Sequence, residues 1–247
     1  MLSTRNLLRG LPNPGLGLVL IRHWFPWAAR YDLDRYFWFG MRYGVKFQSA
    51  FAREIALEQG IEYVRHHALV GDYVEFGVFR GRTFSGACAL AEERSLNLHY
   101  WAFDSFEGLP AAEGEFVKGG WKSGLDQLLS QVKRHIRNAS KLHVVKGWFS
   151  DSLTEDNPAL RGLAKVATAW VDCDLYESTV PVLNFLTNRL QDGSLIFFDD
   201  WFCLKGHPGR GEQRACREWL ERNPQVRLTK YSKFGWHGRS FIVHFAG

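Results

Sequence analysis

Short apolar runs that end in glycine or aspartate alternate with helix-like segments from residue 47 onward, and no other feature constrains the fold as strongly. Runs typical of strands cover residues 73–77, 98–103, 142–145, 166–171 and 194–198, with helix-like segments at 47–67, 83–94, 125–136, 179–190 and 212–222. Strands that alternate with helices form βαβ units and a mostly parallel sheet. Two further strands, 226–230 and 240–245, follow each other directly and predict an antiparallel hairpin at the sheet edge. The sequence therefore predicts an α/β fold with a seven-stranded, mostly parallel sheet and helices on both faces.

Residues 1–46 differ in character from the α/β domain predicted for residues 47–247, and we expect them to form an N-terminal arm. Ten aromatic residues lie between residues 24 and 47, mixed with arginine and lysine. Basic and aromatic residues together are typical of a contact with a membrane surface. Asp32 and Asp34 interrupt the pattern and favour an arm that packs on the α/β domain, where it would cap a substrate site, or on a second subunit of a homo-oligomer. These roles stay open.

The composition is that of an ordinary globular protein, with 46% hydrophobic and 23% charged residues. A transmembrane segment is not expected, because the chain has no run of about 20 apolar residues. The apolar run 16–21 is followed by Arg22 and by no clear cleavage site, which predicts an uncleaved, cytoplasmic protein. The four cysteines lack metal-binding spacing and fit free thiols in a reducing compartment.

The net charge of +5 is unevenly distributed along the chain. Residues 51–200 carry 21 acidic and 15 basic side chains, whereas the segments on either side are basic. A protein that binds nucleic acid more often has a basic stripe on its folded core. The acidic middle of this chain therefore argues against a nucleic-acid partner and suits a bound cation.

The first predicted strand ends in a turn with two glycines four residues apart, Gly77 and Gly81. Glycine permits a tight turn and lets backbone N–H groups approach a ligand closely. The spacing is not the dinucleotide pattern G-x-G-x-x-G, and any turn between a strand and a helix can use glycine. Asp104 ends the next strand, where an acid commonly accepts hydrogen bonds from ribose hydroxyls. A turn or helix-capping aspartate is the alternative, but together the two turns favour a nucleotide-type ligand.

Four aspartates follow two later strands, namely Asp172, Asp174, Asp199 and Asp200. In open α/β sheets, ligands bind beyond the carboxyl ends of the strands, which is where these residues lie. Buried carboxylates there repel one another unless a cation or protons compensate their charge. Oxygen ligands without a His/Cys cluster favour Mg²⁺, Mn²⁺ or Ca²⁺ over Zn²⁺. The sequence thus predicts a divalent-cation site, with helix capping as the alternative role.

Five segments of the chain read YVEFGVFRG (73–81), WAFDSFEGLP (101–110), VKGWF (145–149), DCDLYEST (172–179) and FDD (198–200). Together they resemble the macrocin O-methyltransferase family, a branch of the class I S-adenosylmethionine-dependent enzymes. The resemblance covers roughly residues 50–245 in the family's order. It implies a Rossmann-like class I methyltransferase fold.

The resemblance also implies S-adenosylmethionine as the cofactor. Its site would comprise Glu75, Gly77, Gly81, Asp104, Ser105, Phe106, Gly147 and Trp148. The first three residues would hold the methionine part, and Asp104 would bind the ribose. Ser105 and Phe106 would lie beside the ribose and adenine, with the last two residues near the adenine.

By the same resemblance, Asp172, Asp199 and Asp200 would bind Mg²⁺, and Asp174 would act as general base, a role that Asp172 would be able to share. Two neighbouring oxygens of the substrate would chelate the metal, which lowers the pKa of the attacking hydroxyl. The base would remove the proton, and the oxygen would attack the sulfonium methyl in line.

The resemblance further implies a mobile lid over the substrate at about residues 113–125. Cys173 stands where the family pattern predicts glycine, and the aromatic pair Trp201 and Phe202 follows the last acids. These departures remove no predicted ligand, but we expect them to reshape the substrate pocket.

The sequence as a whole predicts a Mg²⁺-dependent O-methyltransferase that acts on a hydroxyl of a sugar or a glycosylated small molecule. Catechol-type methylation would use the same metal chemistry, and the aromatic content of 15% is compatible with either acceptor. A cofactor-binding protein without catalysis, docked to a partner through its arm, is a further alternative. The intact acids argue against that alternative, and the identity of the acceptor stays open.

Overall fold

A computed structural model describes residues 51–246. They form a seven-stranded sheet with the order β3-β2-β1-β4-β5-β7-β6. The strands are β1 (Asp72–Phe76), β2 (Tyr100–Asp104), β3 (Leu142–Lys146), β4 (Val166–Val171), β5 (Leu190–Phe198), β6 (Val226–Phe234) and β7 (Gly238–Phe245). Neighbours among the first five strands are parallel, whereas β7 is antiparallel to both β5 and β6. The predicted mostly parallel sheet with an antiparallel edge hairpin is confirmed.

Helices cover both faces of this sheet, as predicted. They are α1 (Ala52–His66), α2 (Arg82–Glu93), α3 (Leu125–Val132), α4 (Phe149–Ser152), α5 (Tyr176–Leu186) and α6 (Gly211–Arg222). Side chains along a strand alternate between the two faces, and β1 shows what each face contacts. The ring of Phe76 lies 6.1 Å from that of Phe185 in α5, whereas Tyr73 lies 5.9 Å from Phe84 in α2.

Buried aromatic rings connect neighbouring strands of the sheet. Phe76 of β1 stacks on Phe103 of β2 with ring centroids 4.7 Å apart, and Trp170 of β4 stacks on Phe197 of β5 at 5.0 Å. All four side chains are fully buried. Such pairs stabilise a core beyond the area that they bury. They also fix the relative positions of the turns that follow these strands, where the candidate site lies.

Several element boundaries differ from the sequence prediction, and the reasons lie in strand pairing. β5 begins at Leu190 rather than at residue 194, because Leu190 pairs with Val166 of β4 before a shift in register. β6 continues to Phe234 rather than ending at residue 230, because it pairs with β7 up to the hairpin turn. Pairing partners that are distant in sequence therefore extend strands beyond their apolar runs.

The predicted arm of residues 1–46 lies outside the described residues, so its capping, membrane and homo-oligomer roles stay predictions. Within residues 51–246, none of the helices combines the length and the apolar character that a membrane span requires. The cytoplasmic location likewise stays a prediction.

Candidate active site

A cavity of about 860 Å³ lies at the carboxyl ends of the parallel strands, where ligands bind in open α/β sheets. The turns after β1, β2, β3, β4 and β5 all contribute to its lining. The predicted site residues that line it are Gly77, Asp104, Ser105, Gly147, Trp148, Asp172, Asp174 and Asp200. The predicted residues outside the lining are Glu75, Gly81, Phe106 and Asp199.

The turn after β1 requires glycine at residue 77. Its φ of +87° lies in the left-handed region that glycine adopts freely, and a Cβ there would overlap the carbonyl oxygen of Asp172. The turns after β1 and β4 are therefore in direct contact. Gly81, with φ of +82°, precedes α2, and a Cβ there would overlap Leu128 of α3. Gly81 thus permits helix packing, and its contact with a cofactor stays a prediction.

Asp104 connects the turns that follow β1 and β2. One carboxylate oxygen accepts the N–H of Phe79 at 2.9 Å, and the other accepts the N–H of Phe106 at 2.7 Å. Burial raises the pKa of Asp104, and the backbone N–H donors oppose that rise. Each carboxylate oxygen has further lone pairs, so this side chain in the cavity wall is still able to accept hydrogen bonds from a ribose.

Glu75 lies within the sheet rather than in the cavity wall, and it is 1% exposed. The hydroxyl of Tyr73 donates a hydrogen bond of 2.6 Å to its Oε2. Burial raises the pKa of Glu75 to about 8, although the bond from Tyr73 lowers it. A contact between Glu75 and the methionine part of a cofactor stays a prediction.

Three of the four aspartates form a carboxylate cluster. Asp172, Asp174 and Asp200 each offer an oxygen, and these atoms all lie within 4.8 Å of one another. Asp174 has a φ of +59°, an uncommon backbone conformation outside glycine. The Oδ2 of Asp200 is buried and has no hydrogen-bond partner among the described residues. Oxygen ligands at this spacing, one of them unpaired, fit a hard divalent cation.

The electrostatics of the carboxylate cluster favour added positive charge. Burial, followed by repulsion from Asp200, raises the pKa of Asp174 to about 9. Burial, followed by repulsion from Asp199, raises the pKa of Asp200 to about 6. Burial, followed by repulsion from Asp199, also raises the pKa of Asp172. Each carboxyl group therefore binds a proton more tightly than usual, and a bound cation would relieve the same repulsion.

Asp199 takes part in a different set of contacts, which the sequence pattern did not predict. Nε of Arg53 in α1 donates to its Oδ1 at 2.8 Å, and a terminal nitrogen of the same guanidinium donates to its Oδ2. Nδ1 of His237 lies 2.7 Å from the carbonyl oxygen of Asp199 and 3.5 Å from Oδ2. Nothing in the sequence marks this contact, because Arg53 is 146 residues from Asp199 and lies in a charged helical segment. Metal binding by Asp199 stays a prediction.

Replacing Arg53 by methionine is expected to lower the free energy of unfolding by about 2 kcal/mol, because the fully buried Asp199 would lose the two hydrogen bonds that it accepts from the partly exposed guanidinium. Urea denaturation of the variant and the wild type measures this change. Arg65→Met is the matched control on the same helix, because Arg65 pairs with Glu62 at the surface. This substitution should lower the free energy of unfolding by about 0.5 kcal/mol or less. Equal losses in the two variants would contradict a special role for the Arg53 pair.

The segment predicted as a lid contacts the turn after β5 and the start of α5. Glu115 accepts the N–H of Leu204 at 2.7 Å, and Glu113 accepts the N–H of Tyr176 at 3.3 Å. Phe116 is buried in a small cluster with Leu204. The segment therefore forms one wall of the cavity, and its mobility stays a prediction.

The strand order, the glycine turn after β1 and the aspartate that ends β2 define a class I S-adenosylmethionine-dependent methyltransferase fold. The family model of macrocin O-methyltransferase (TylF) matches residues 51–213. This segment is most of the chain, and the protein belongs to the macrocin O-methyltransferase family, as the sequence resemblance implied. The crystal structure of CalS11, calicheamicin methyltransferase, has the same fold, with a TM-score of 0.63 and 20% identity over 96% of this chain and 89% of that one.

Two relatives from Streptomyces are similar in sequence to this chain. Demethyldecarbamoylnovobiocin O-methyltransferase of Streptomyces niveus is 31% identical over 162 residues, covering 59% of this chain and 58% of the relative. The 8-demethyl-8-(2,3-dimethoxy-alpha-L-rhamnosyl)-tetracenomycin-C 4'-O-methyltransferase of Streptomyces olivaceus is 30% identical over 158 residues, with the same coverage of 59% and 58%. The chain thus spans less than two thirds of the length of these curated relatives.

Proposed function

We propose that this protein is a Mg²⁺-dependent S-adenosylmethionine O-methyltransferase that acts on a hydroxyl group of a sugar or a glycosylated small molecule. The observation that carries the proposal is the position of the carboxylate cluster in the same cavity as the Asp104 turn. An acceptor hydroxyl at the cluster would share this cavity with the methyl donor. The acceptor class is supported by the Streptomyces olivaceus relative, whose name describes an acceptor that carries a rhamnosyl group.

The cofactor would occupy the part of the cavity formed by the turns after β1, β2 and β3. Asp104 would accept hydrogen bonds from the ribose with the lone pairs that its backbone contacts leave free. Trp148 is 36% exposed and follows Gly147 at the end of β3, where its ring is available to the adenine. The turn of Gly77 would bring the backbone close to the methionine part, and it touches the turn of Asp172. This contact between the two turns would bring the methyl donor to the side of the cavity that holds the acids.

The acids divide into ligands and a base. Asp172 and Asp200 belong both to the predicted ligand set and to the carboxylate cluster, so we assign both to Mg²⁺. When bound, the ion lowers the pKa of the acceptor hydroxyl and fixes its oxygen. Asp174 accepts the proton of that hydroxyl. The acceptor oxygen would then form its bond to the methyl carbon as the carbon–sulfur bond breaks, with neutral S-adenosylhomocysteine as the leaving group.

The sequence predicts Asp199 as a third Mg²⁺ ligand. In that role its carboxylate would have to release Arg53 and bind the ion instead. Titration of Mg²⁺ into Asp199→Asn and Asp172→Asn variants compares the two residues directly. Loss of Mg²⁺ binding in both variants would make Asp199 a ligand. Loss only in Asp172→Asn would leave Asp199 as the partner of Arg53.

Removal of the metal tests the proposed function. We expect EDTA to suppress methyl transfer from labelled S-adenosylmethionine and added Mg²⁺ to restore it, because the carboxylates need a cation to bind and orient the acceptor oxygen. Calorimetric titration of S-adenosylmethionine in EDTA is the control, and its affinity should persist because the Asp104 turn is intact. Turnover that continues in EDTA would assign the aspartates a structural role. A protein that does not bind S-adenosylmethionine would not fit the proposal at all.

The acceptor class requires a separate assay. Labelled S-adenosylmethionine is incubated with the protein and with parallel sets of rhamnosides and catechols. We expect label in the rhamnosides. Label in the catechols alone would assign catechol-type methylation, and no label in either set, despite cofactor binding, would favour a protein that binds the cofactor without catalysis.

A further inference from the structure

His237 is a side chain of the cavity wall for which the mechanism above has no role. It lies in the turn between β6 and β7, and its side chain is 16% exposed. Its carbonyl oxygen accepts the N–H of Phe202 at 2.8 Å, which fixes its backbone to the turn after β5. The edge hairpin therefore brings this ring to the cavity that also contains Asp200.

The contacts of the ring determine which nitrogen is available to a ligand. Nδ1 lies 2.7 Å from the carbonyl oxygen of Asp199, and a carbonyl oxygen only accepts hydrogen bonds. Nδ1 must therefore carry the hydrogen, and in the Nδ1–H tautomer the lone pair is on Nε2. Within residues 51–246, no hydrogen bond to Nε2 is present. His237 thus offers the cavity an oriented hydrogen-bond acceptor.

The neighbours of His237 indicate what would bind there. Trp236 is 67% exposed and lines the same cavity, and its ring centroid lies 5.4 Å from that of His237, so an apolar ring lies next to the imidazole. A ligand with a hydroxyl group next to an apolar face of C–H groups matches this pair, and a sugar ring has both features. The proposed base Asp174 and the proposed Mg²⁺ ligand Asp200 line the same cavity, so the reacting hydroxyl would lie beside them.

We propose that His237 positions the acceptor by receiving, at Nε2, a hydrogen bond from a sugar hydroxyl other than the one that is methylated. This inference rests on the proposed function and extends it to a residue that determines acceptor specificity. The ring of Trp236 covers the adjacent face of the sugar. His237 selects acceptors by their hydroxyl pattern and takes no part in binding the methyl donor.

Two substitutions separate this role from a structural one. In His237→Asn the amide nitrogen is near the position of Nδ1 and keeps the bond to Asp199, but no atom replaces Nε2. In His237→Gln the amide oxygen is near the position of Nε2 and restores an acceptor. We expect the asparagine variant to lose about tenfold in kcat/KM for the rhamnoside that the wild type methylates best, mainly through KM, and the glutamine variant to recover part of that loss.

The matched control is His244→Asn in the same hairpin, where His244 pairs with Asp192 at the surface. Its kcat/KM should equal that of the wild type. All three variants should bind S-adenosylmethionine as the wild type does and keep its melting temperature. Equal kcat/KM in His237→Asn and the wild type would overturn the inference, as would a loss matched by lower cofactor affinity or stability.

Nuclear magnetic resonance of the protein labelled with ¹⁵N-histidine tests the inference without turnover. The wild type should show His237 protonated at Nδ1. In the presence of S-adenosylhomocysteine and Mg²⁺, methyl α-L-rhamnopyranoside should shift the Nε2 resonance of His237 and leave that of His244 unchanged. A tautomer protonated at Nε2, or no shift on addition of the rhamnoside, would overturn the inference. Failure of the wild type to methylate any acceptor would instead count against the proposed function. It would leave the inference about His237 testable, because the tautomer and the rhamnoside-induced shift are measured without turnover.

Discussion

The Asp174→Asn variant is expected to lose about 10²- to 10⁴-fold in kcat while it retains Mg²⁺ and S-adenosylmethionine binding. The reason is that asparagine does not accept the hydroxyl proton, whereas Asp172 and Asp200 would still hold the ion. Single-turnover assays measure the chemical step, and calorimetry measures the two affinities. A variant that loses Mg²⁺ binding together with turnover would make Asp174 a metal ligand and would transfer the base role to Asp172.

We expect Asp174→Asn not to destabilise the protein, so misfolding would not explain its lost activity. The pKa of Asp174 is about 9 in the folded protein, whereas an aspartate in the unfolded chain has the ordinary value of 3.8. Folding therefore favours the protonated form. This contribution to stability is complete below pH about 3.8 and is lost as the pH rises through about 9. Asparagine carries no charge at any pH in this window. In EDTA at pH 8, the variant should therefore melt at a temperature no lower than that of the wild type.

Asp126→Asn is the matched control, because Asp126 is exposed in the first turn of α3. It should retain both the kcat and the melting temperature of the wild type. A melting temperature of Asp174→Asn clearly below that of the wild type in EDTA would contradict the repulsion described for the carboxylate cluster.

Replacing Gly77 by alanine is the second change with a large expected effect. The added Cβ would overlap the carbonyl oxygen of Asp172, and the φ of +87° is itself unfavourable for alanine by about 1–2 kcal/mol. The turns after β1 and β4 must separate to make room for the alanine side chain. We therefore expect the affinities for the cofactor and for Mg²⁺ both to fall. Thermal unfolding and calorimetry with each ligand measure these effects.

Two other glycines separate the causes of this loss. Gly119 has a φ of +76°, but no atom lies within 4 Å of the position that an alanine Cβ would take, so Gly119→Ala should show only the conformational cost. Gly124 has an ordinary φ of −111° and open space, so Gly124→Ala should show neither the conformational nor the steric cost. A Gly77→Ala variant no less stable than Gly119→Ala would show that the contact with the Asp172 turn is not close in solution.

The sequence was sufficient for the fold and for the edge of the sheet where the site lies. Apolar runs that stop at glycine or aspartate mark the carboxyl ends of buried parallel strands, and this local pattern depends on neighbouring residues alone. Gly77, Asp104 and Asp172 could therefore be assigned to that edge from the amino-acid sequence by itself, and all three line the cavity.

Tertiary structure decided how the side chains at that edge are grouped. Asp199 and Asp200 are adjacent in sequence, yet Asp199 pairs with Arg53, whereas Asp200 joins the carboxylate cluster. Successive side chains point in different directions, and which partner each one meets depends on helix α1 and on the position of the edge hairpin. His237 is likewise brought to the cavity by the antiparallel pairing of β7 with β5. Contacts between residues so distant along the chain follow from strand order and register, which a local sequence pattern does not contain.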